Sequence, residues 1–94
     1  MSPYRKRVDA NHAPIRNALR SMGWTVIDTS SVGGGMSDLI LAKGGVVVFC
    51  EIKDGAKTAS RTRLGVQQEA FRALVEHAGV AYRVVTSIEE AIRL

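Results

Sequence analysis

Between the apolar runs DLILAK and VVVFCEIK lies only the dipeptide Gly44-Gly45, and no other feature of this chain constrains its fold as tightly. Two residues are too few for a crossover, so the runs pair antiparallel, and two glycines suit a primed turn because both tolerate positive φ. With Gly44-Gly45 as the loop, Lys43 faces Val46, and the pairing carried back along the ladder sets Asp38 opposite Glu51. Paired residues point to one face, and the period of two extends that face to Lys53. Two carboxylates and an ammonium therefore meet at the open end of one hairpin. Like charges facing each other destabilise a ladder, so a cation is expected between them. Hard oxygen donors of this kind suit a divalent metal.

Away from the charged end, both faces of the hairpin are apolar. Ile40, Ala42, Val47 and Phe49 share the Asp38 side, and Leu39, Leu41, Val48, Cys50 and Ile52 share the other. Strands apolar on both sides are expected in the middle of a sheet covered by helices. Asn11 or Asp9 is placed to cap a first helix running to about Met22, with Pro14 in its first turn and Gly23 as its stop. WTVI reads as a strand, and TSSVGGGMS as a glycine-rich loop delivering the chain to Asp38. DGAKTASRTR is polar and aperiodic, a segment expected to be mobile without a ligand. From Gly65 to Ala78, the spacing of Phe71, Leu74, Val75 and Ala78 predicts a helix with an apolar face. VAYRVV follows as a strand, and Ser87 with Glu90 forms a capping box for a final helix, SIEEAIRL. The predicted class is α/β with the order αβββαβα.

A length of 94 residues implies one domain over 1–94, small enough that association with a second copy would add stability. The longest apolar run, VVVFC, is far too short to cross a bilayer. The first residues, MSPYRKRVDANH, carry basic side chains without the apolar core of a secretory signal, so the cytoplasm is the expected compartment. Cys50 is the lone cysteine, and with only His12 and His77 there is no zinc-like spacing; Cys50 reads as a small core residue. A net charge of +4 and a pI of about 9.7 favour polyanionic partners. Arg5, Lys6 and Arg7 make a basic arm, and Lys57, Arg61 and Arg63 follow Glu51 and Lys53 closely, where they could grip phosphates beside the metal. Taken singly, each is equally a solvated surface charge. Gly33, Gly34 and Gly35 lack the strand-to-helix context of a dinucleotide or P-loop fingerprint. They suit a close approach of nucleic acid to the backbone, at Gly34 and Gly35 above all.

A glycine loop, then Asp38-Leu39, then Glu51-Ile52-Lys53 with twelve residues between the two acids, resembles the PD-(D/E)xK nuclease superfamily. More narrowly, SVGGGMSDLILAKGGVVVFCEIKDG, the basic loop and LGVQQEAFRALVEHAG are similar to the stand-alone VRR-Nuc domains of phages and bacteria, from about Asp9 to the C-terminus. The resemblance implies a restriction-endonuclease-like core, a central mixed sheet flanked by helices. It also implies a metal-dependent endonuclease that hydrolyses phosphodiester bonds in DNA, structure-specific for branched, flap or Holliday-junction DNA, acting as a homodimer in a bacterial or phage-infected cell. Mg²⁺ or Mn²⁺ would be the cofactor, with no organic cofactor and no membrane partner. On the matching positions, Asp38 and Glu51 would bind the metal, with the Ile52 carbonyl as a further ligand. Lys53 would orient or help deprotonate the attacking water and stabilise the developing charge, and Gln68 would bind that water or the phosphate. Gln67 is the neighbouring alternative to Gln68. The chain departs from the pattern twice. Ser37 stands where a proline is usual, a backbone preference outside the chemistry. The helix between Asn11 and Gly23 contains no acid, so either Asp9, with Asn11 and His12 beside it, reaches the metal, or the site works with one carboxylate fewer. Two rival readings follow: a non-catalytic nucleic-acid-binding module of the same fold, and a nuclease acting on RNA.

Overall fold

The computed structural model describes residues 10–55 and 64–94. Helix α1 (His12–Ser21) leads into strand β1 (Thr25–Asp28), and the glycine-rich loop then leads to the hairpin of β2 (Leu39–Lys43) and β3 (Val46–Ile52). Helix α2 (Val66–His77), strand β4 (Ala81–Val85) and a short helix α3 (Ile88–Ile92) complete the order αβββαβα read from the sequence. The sheet runs β1-β2-β3-β4. Its first three strands are antiparallel and β4 lies parallel to β3, an arrangement that requires the crossover supplied by α2.

The turn is as the glycines dictate, with φ of +57° at Gly44 and +80° at Gly45. The register runs from Lys43↔Val46 to Leu39↔Cys50, the ladder expected from a two-residue loop. Its next step places Asp38 opposite Glu51.

The two faces of the sheet are covered unequally. On one, Leu39, Leu41 and Cys50 have no exposed surface and Ile52 has 1%, packed with Ile15 and Leu19 of α1, Val85, and Ala91 of α3. On the other, Ile40, Ala42 and Phe49 are half-buried and Val47 is 42% exposed. The expectation of burial on both faces therefore holds for one. Among the described residues a single helix, α2, covers the second face, and it sits over β4 and β3, where the Phe71 ring meets Phe49 and Tyr82 edge-on at 5.5 and 6.3 Å. The same placement leaves Leu74 of α2 70% exposed, contrary to its assignment to the apolar face, while Val75 is buried.

Two caps differ from expectation. Asn11 occupies the N-cap position of α1 without a side-chain cap bond, and its Nδ2 donates instead to carbonyls outside the helix. The Ser87 hydroxyl accepts from the Glu90 N–H at 3.2 Å, but Glu90 turns its carboxylate to the N–H and hydroxyl of Thr86 instead of completing the box. Among the described residues, no helix is long and apolar enough to cross a membrane.

Candidate active site

At the open end of the hairpin, Asp38 is 6% exposed and Glu51 3% exposed, among the most buried polar side chains of the face that is otherwise loosely covered. The ladder holds them there. The Thr29 N–H donates to the Asp38 carbonyl at 2.8 Å, tying the start of β2 to β1, and Oδ2 of Asp38 accepts the Ile52 N–H at 2.8 Å. This bond fixes the Asp38 carboxylate against β3 on the side of Glu51.

Glu51 is held by α2. Nε2 of Gln68 donates to its Oε2 at 2.9 Å, and the Lys53 ammonium lies 3.7 Å from the same oxygen. The amide oxygen of Gln68 accepts from Lys53 Nζ at 3.1 Å and from the Gly65 N–H at the start of α2 at 2.9 Å. One carboxamide therefore joins the helix N-terminus, the ammonium and the carboxylate. Gln67 is exposed, and of the two glutamines left open by the sequence it is Gln68 that hydrogen-bonds Glu51 and Lys53.

The position of Gln68 depends on a glycine. Gly35 has φ of +92°, and a Cβ there would collide with the backbone carbonyl of Gln67, so a side chain would push the glycine loop off the first turn of α2. Gly33 and Gly34 also have positive φ, and a Cβ on either would meet nothing within 4 Å among the described residues. With Gly35 they wall a cleft of about 380 Å³ whose other side is Gly65 to Gln68, and Gln68 joins that cleft to Glu51 and Lys53.

Burial and the nearby carboxylates act together on two neighbouring groups. The Cys50 thiol is pushed up to about 12, first by burial and then by Asp38 and Glu51. The Tyr82 hydroxyl is also raised, by burial and then by Glu51. Paired carboxylates this well buried require compensating positive charge. Lys53 provides one such charge, with its side chain 15% exposed.

Among the described residues, no group of three or more His, Cys, Asp or Glu side chains is disposed to hold a metal. Two adjacent carboxylates do fit Mg²⁺ or Mn²⁺, hard cations that keep several waters. Asp38 and Glu51 would hold such an ion, with the adjoining Ile52 backbone as the further donor. Of the other site residues read from the sequence, Asp9, Arg5, Lys6, Arg7, Lys57, Arg61 and Arg63 lie outside the described residues.

The structure adds one residue that the sequence marks only as a cap. Nδ2 of Asn11 donates to the carbonyls of Lys53 at 2.9 Å and Thr86 at 3.0 Å, clamping the backbone of the lysine to the end of β4. Nothing in an asparagine at a helix start distinguishes this role from capping. His12, considered beside Asp9 as a site residue, is 4% exposed and bonds Asp28 Oδ2 at 3.0 Å, which Arg16 also approaches at 3.3 Å. Asp28 pairs with Leu39 and so lies on the opposite face from Asp38. His12 is committed to that pair. Burial raises the Asp28 carboxyl, but hydrogen bonds from Ser30 and His12 outweigh it and hold the group well below the usual carboxylate range.

The mixed four-stranded sheet with flanking helices is a restriction-endonuclease-like core, and a solved structure described as a VRR_NUC domain shares it. That structure has a TM-score of 0.67 and 20% identity, over 92% of this chain and 95% of its own. No curated protein matches the chain. The family model for archaeal Holliday junction resolvases matches residues 5–89, and the chain belongs to that family, as a nuclease domain of the VRR-Nuc type.

Proposed function

We propose that this chain is a divalent-metal-dependent endonuclease that cuts phosphodiester bonds in branched DNA, Holliday junctions among them. The observation that carries the reading is the network of Asp38, Glu51, Lys53 and Gln68, assembled by one hairpin and one helix start on a nuclease fold. Bound between Asp38 and Glu51, Mg²⁺ or Mn²⁺ would supply Lewis acidity toward the phosphoryl oxygen and a more acidic water. Lys53 acts separately from the metal, its ammonium, held by Gln68, stabilising charge that develops on the phosphoryl oxygens and orienting the attacking water. Gln68 fixes both Glu51 and Lys53, so a shift of α2 would misplace both at once.

The glycine-walled cleft, joined to these groups through Gln68, is the path proposed for a phosphodiester strand. Lys57, Arg61 and Arg63, with Arg5, Lys6 and Arg7, are proposed to contact phosphates along that path, and Asp9 to complete the metal site. A homodimer would present two such sites to the symmetric strands of a four-way junction. One observation favours a rival: α1 offers no acid, as in a binding module that has lost effective metal affinity.

Incubation with supercoiled plasmid, four-way junction, flap, linear duplex and structured RNA, each with Mg²⁺, Mn²⁺ or EDTA, tests the proposal. Metal-dependent cleavage of the branched DNAs is expected. Binding without cleavage under every metal would establish the rival, and cleavage confined to RNA would change the substrate.

A further inference from the structure

At the other end of the sheet, beneath the Gly44-Gly45 turn, a second cleft of about 400 Å³ opens between the strands and the end of α3. Its walls include Trp24, Val46, Lys43, Arg83, Arg93 and Leu94, and no acidic side chain among the described residues lines it. The three cations come from β2, from β4 and from the residue after α3, so the tertiary fold, and no local run of sequence, gathers them. Arg83 pairs with Cys50 across the parallel ladder and Lys43 alternates with Leu41 and Leu39. Both therefore stand on the face opposite Asp38 and Glu51. Five residues of extended chain separate Asp38 from Lys43, about 17 Å at ~3.4 Å per residue.

These cations have donor capacity left for a ligand. Lys43 gives one N–H to the Met22 carbonyl at 3.0 Å and lies 5.1 Å from the centre of the Trp24 ring. Arg83 gives one to the Tyr82 carbonyl at 3.1 Å. An ammonium has three donors and a guanidinium five. Both arginines are exposed. The indole nitrogen of Trp24, 8% exposed, is a buried donor with no hydrogen-bond partner among the described residues. Converging cations with no acidic side chain among the described lining residues, over an apolar floor, recognise an anion, and forked guanidinium donors match a phosphate.

We propose that this cleft binds the phosphodiester backbone of a second DNA arm, the arm that is not being cut. The inference rests on the branched-DNA reading above and deepens it. A single straight duplex on the carboxylate face cannot also occupy a site on the reverse face and at the far end of the sheet, whereas two arms diverging from a branch can reach both. Structure selectivity would then arise from simultaneous occupation of two phosphate sites, with no base read.

The test compares wild type with R83A/R93A for binding to a four-way junction and to a linear duplex of equal length, in EDTA, across a salt series. Lys43 is left in place because it also holds Met22. Junction affinity should fall roughly tenfold, with its log-salt slope flattened by about 1.8 for two lost phosphate contacts, while duplex affinity moves much less. R83K/R93K, which keeps the charges, should retain most of the junction affinity. Equal losses for junction and duplex, or no loss for either, would overturn the inference. A rise in melting temperature with a mononucleotide, present in wild type and absent in R83A/R93A, would overturn it in favour of a free-nucleotide site. If the double variant does not fold, R93A alone, at an exposed position after α3, should show about half the slope change. Metal-dependent cleavage of the four-way junction by wild type is scored separately: its absence alongside a junction-selective loss defeats the nuclease reading and leaves the second-arm binding site standing, and the converse defeats only this inference.

Discussion

The two faces of the sheet divide the work of the molecule. The face toward α1 and α3 buries aliphatic side chains almost completely, from Leu39 and Leu41 to Cys50 and Ile52. The face toward α2 leaves Ile27 53% and Val47 42% exposed, yet buries Asp38 and Glu51. A protein organised for stability alone would reverse this, exposing its charges and covering its isoleucines. Carboxylates kept dry beside an ammonium are costly to desolvate, and such arrangements are a mark of sites where charge is used. The packed face holds the hairpin rigid, and the rigid hairpin can hold the carboxylates in place on the open face.

If this division is right, substitutions on the two faces should separate activity from stability. The largest effects fall on catalysis. Glu51→Gln and Lys53→Ala should each lower cleavage by about 10²- to 10³-fold, but only Glu51→Gln should also weaken Mn²⁺ binding in calorimetry. Equal loss of metal affinity in both variants would break the separation of roles. Next comes the packed face, where Leu41→Ala should cost about 3 kcal/mol in denaturant unfolding. Val47→Ala, one strand away on the open face, should cost less than about 1 kcal/mol. Similar values would show that α2 or a second copy covers more of the open face than the single chain does.

Asp38 lies where the comparison is sharpest, since its carboxylate also accepts the Ile52 N–H. Asp38→Ala would strand that buried donor and should cost about 1–3 kcal/mol. Asp38→Asn keeps an acceptor and relieves repulsion with Glu51, so metal-free stability should hold within a few tenths of a kcal/mol. Added Mg²⁺ should then raise the melting temperature of wild type more than that of either variant. Asn11→Ala removes two hydrogen bonds, one of them to the Lys53 carbonyl, and should cost about 1–2 kcal/mol. If the clamp positions Lys53, kcat falls while KM holds; a purely structural asparagine would change stability alone.

The smallest effect concerns acid. The folded carboxyl of Asp28 is held below its ordinary value, so its contribution to stability is present above the unfolded range near pH 4 and is lost as pH falls further. Its side chain is 30% exposed, and solvent screening keeps that contribution small. Melting temperatures from pH 6 to 3 should fall less steeply in Asp28→Asn than in wild type.

The chain's own sequence determined the hairpin and its register, because both follow from local dihedral freedom at Gly44-Gly45 and from a period of two. With the register came the facing of Asp38 and Glu51, which needs no knowledge of the remaining fold. The helix and strand order was legible for the same reason, in periodicity and stop signals. Only the tertiary structure decided the rest. Gln67 and Gln68 are about 100° apart around a helix of 3.6 residues per turn, and which of them reaches Glu51 depends on how α2 lies against Gly35, a contact between residues far apart in sequence. Asn11 became a clamp instead of a cap because folding brings the ends of β3 and β4 to the start of α1. The uneven cover of the two faces, and the cations of Lys43, Arg83 and Arg93 around Trp24, likewise follow from where each helix settles. A hydrophobic period tells which way a side chain points, and not how much of the opposite surface a single helix is wide enough to cover.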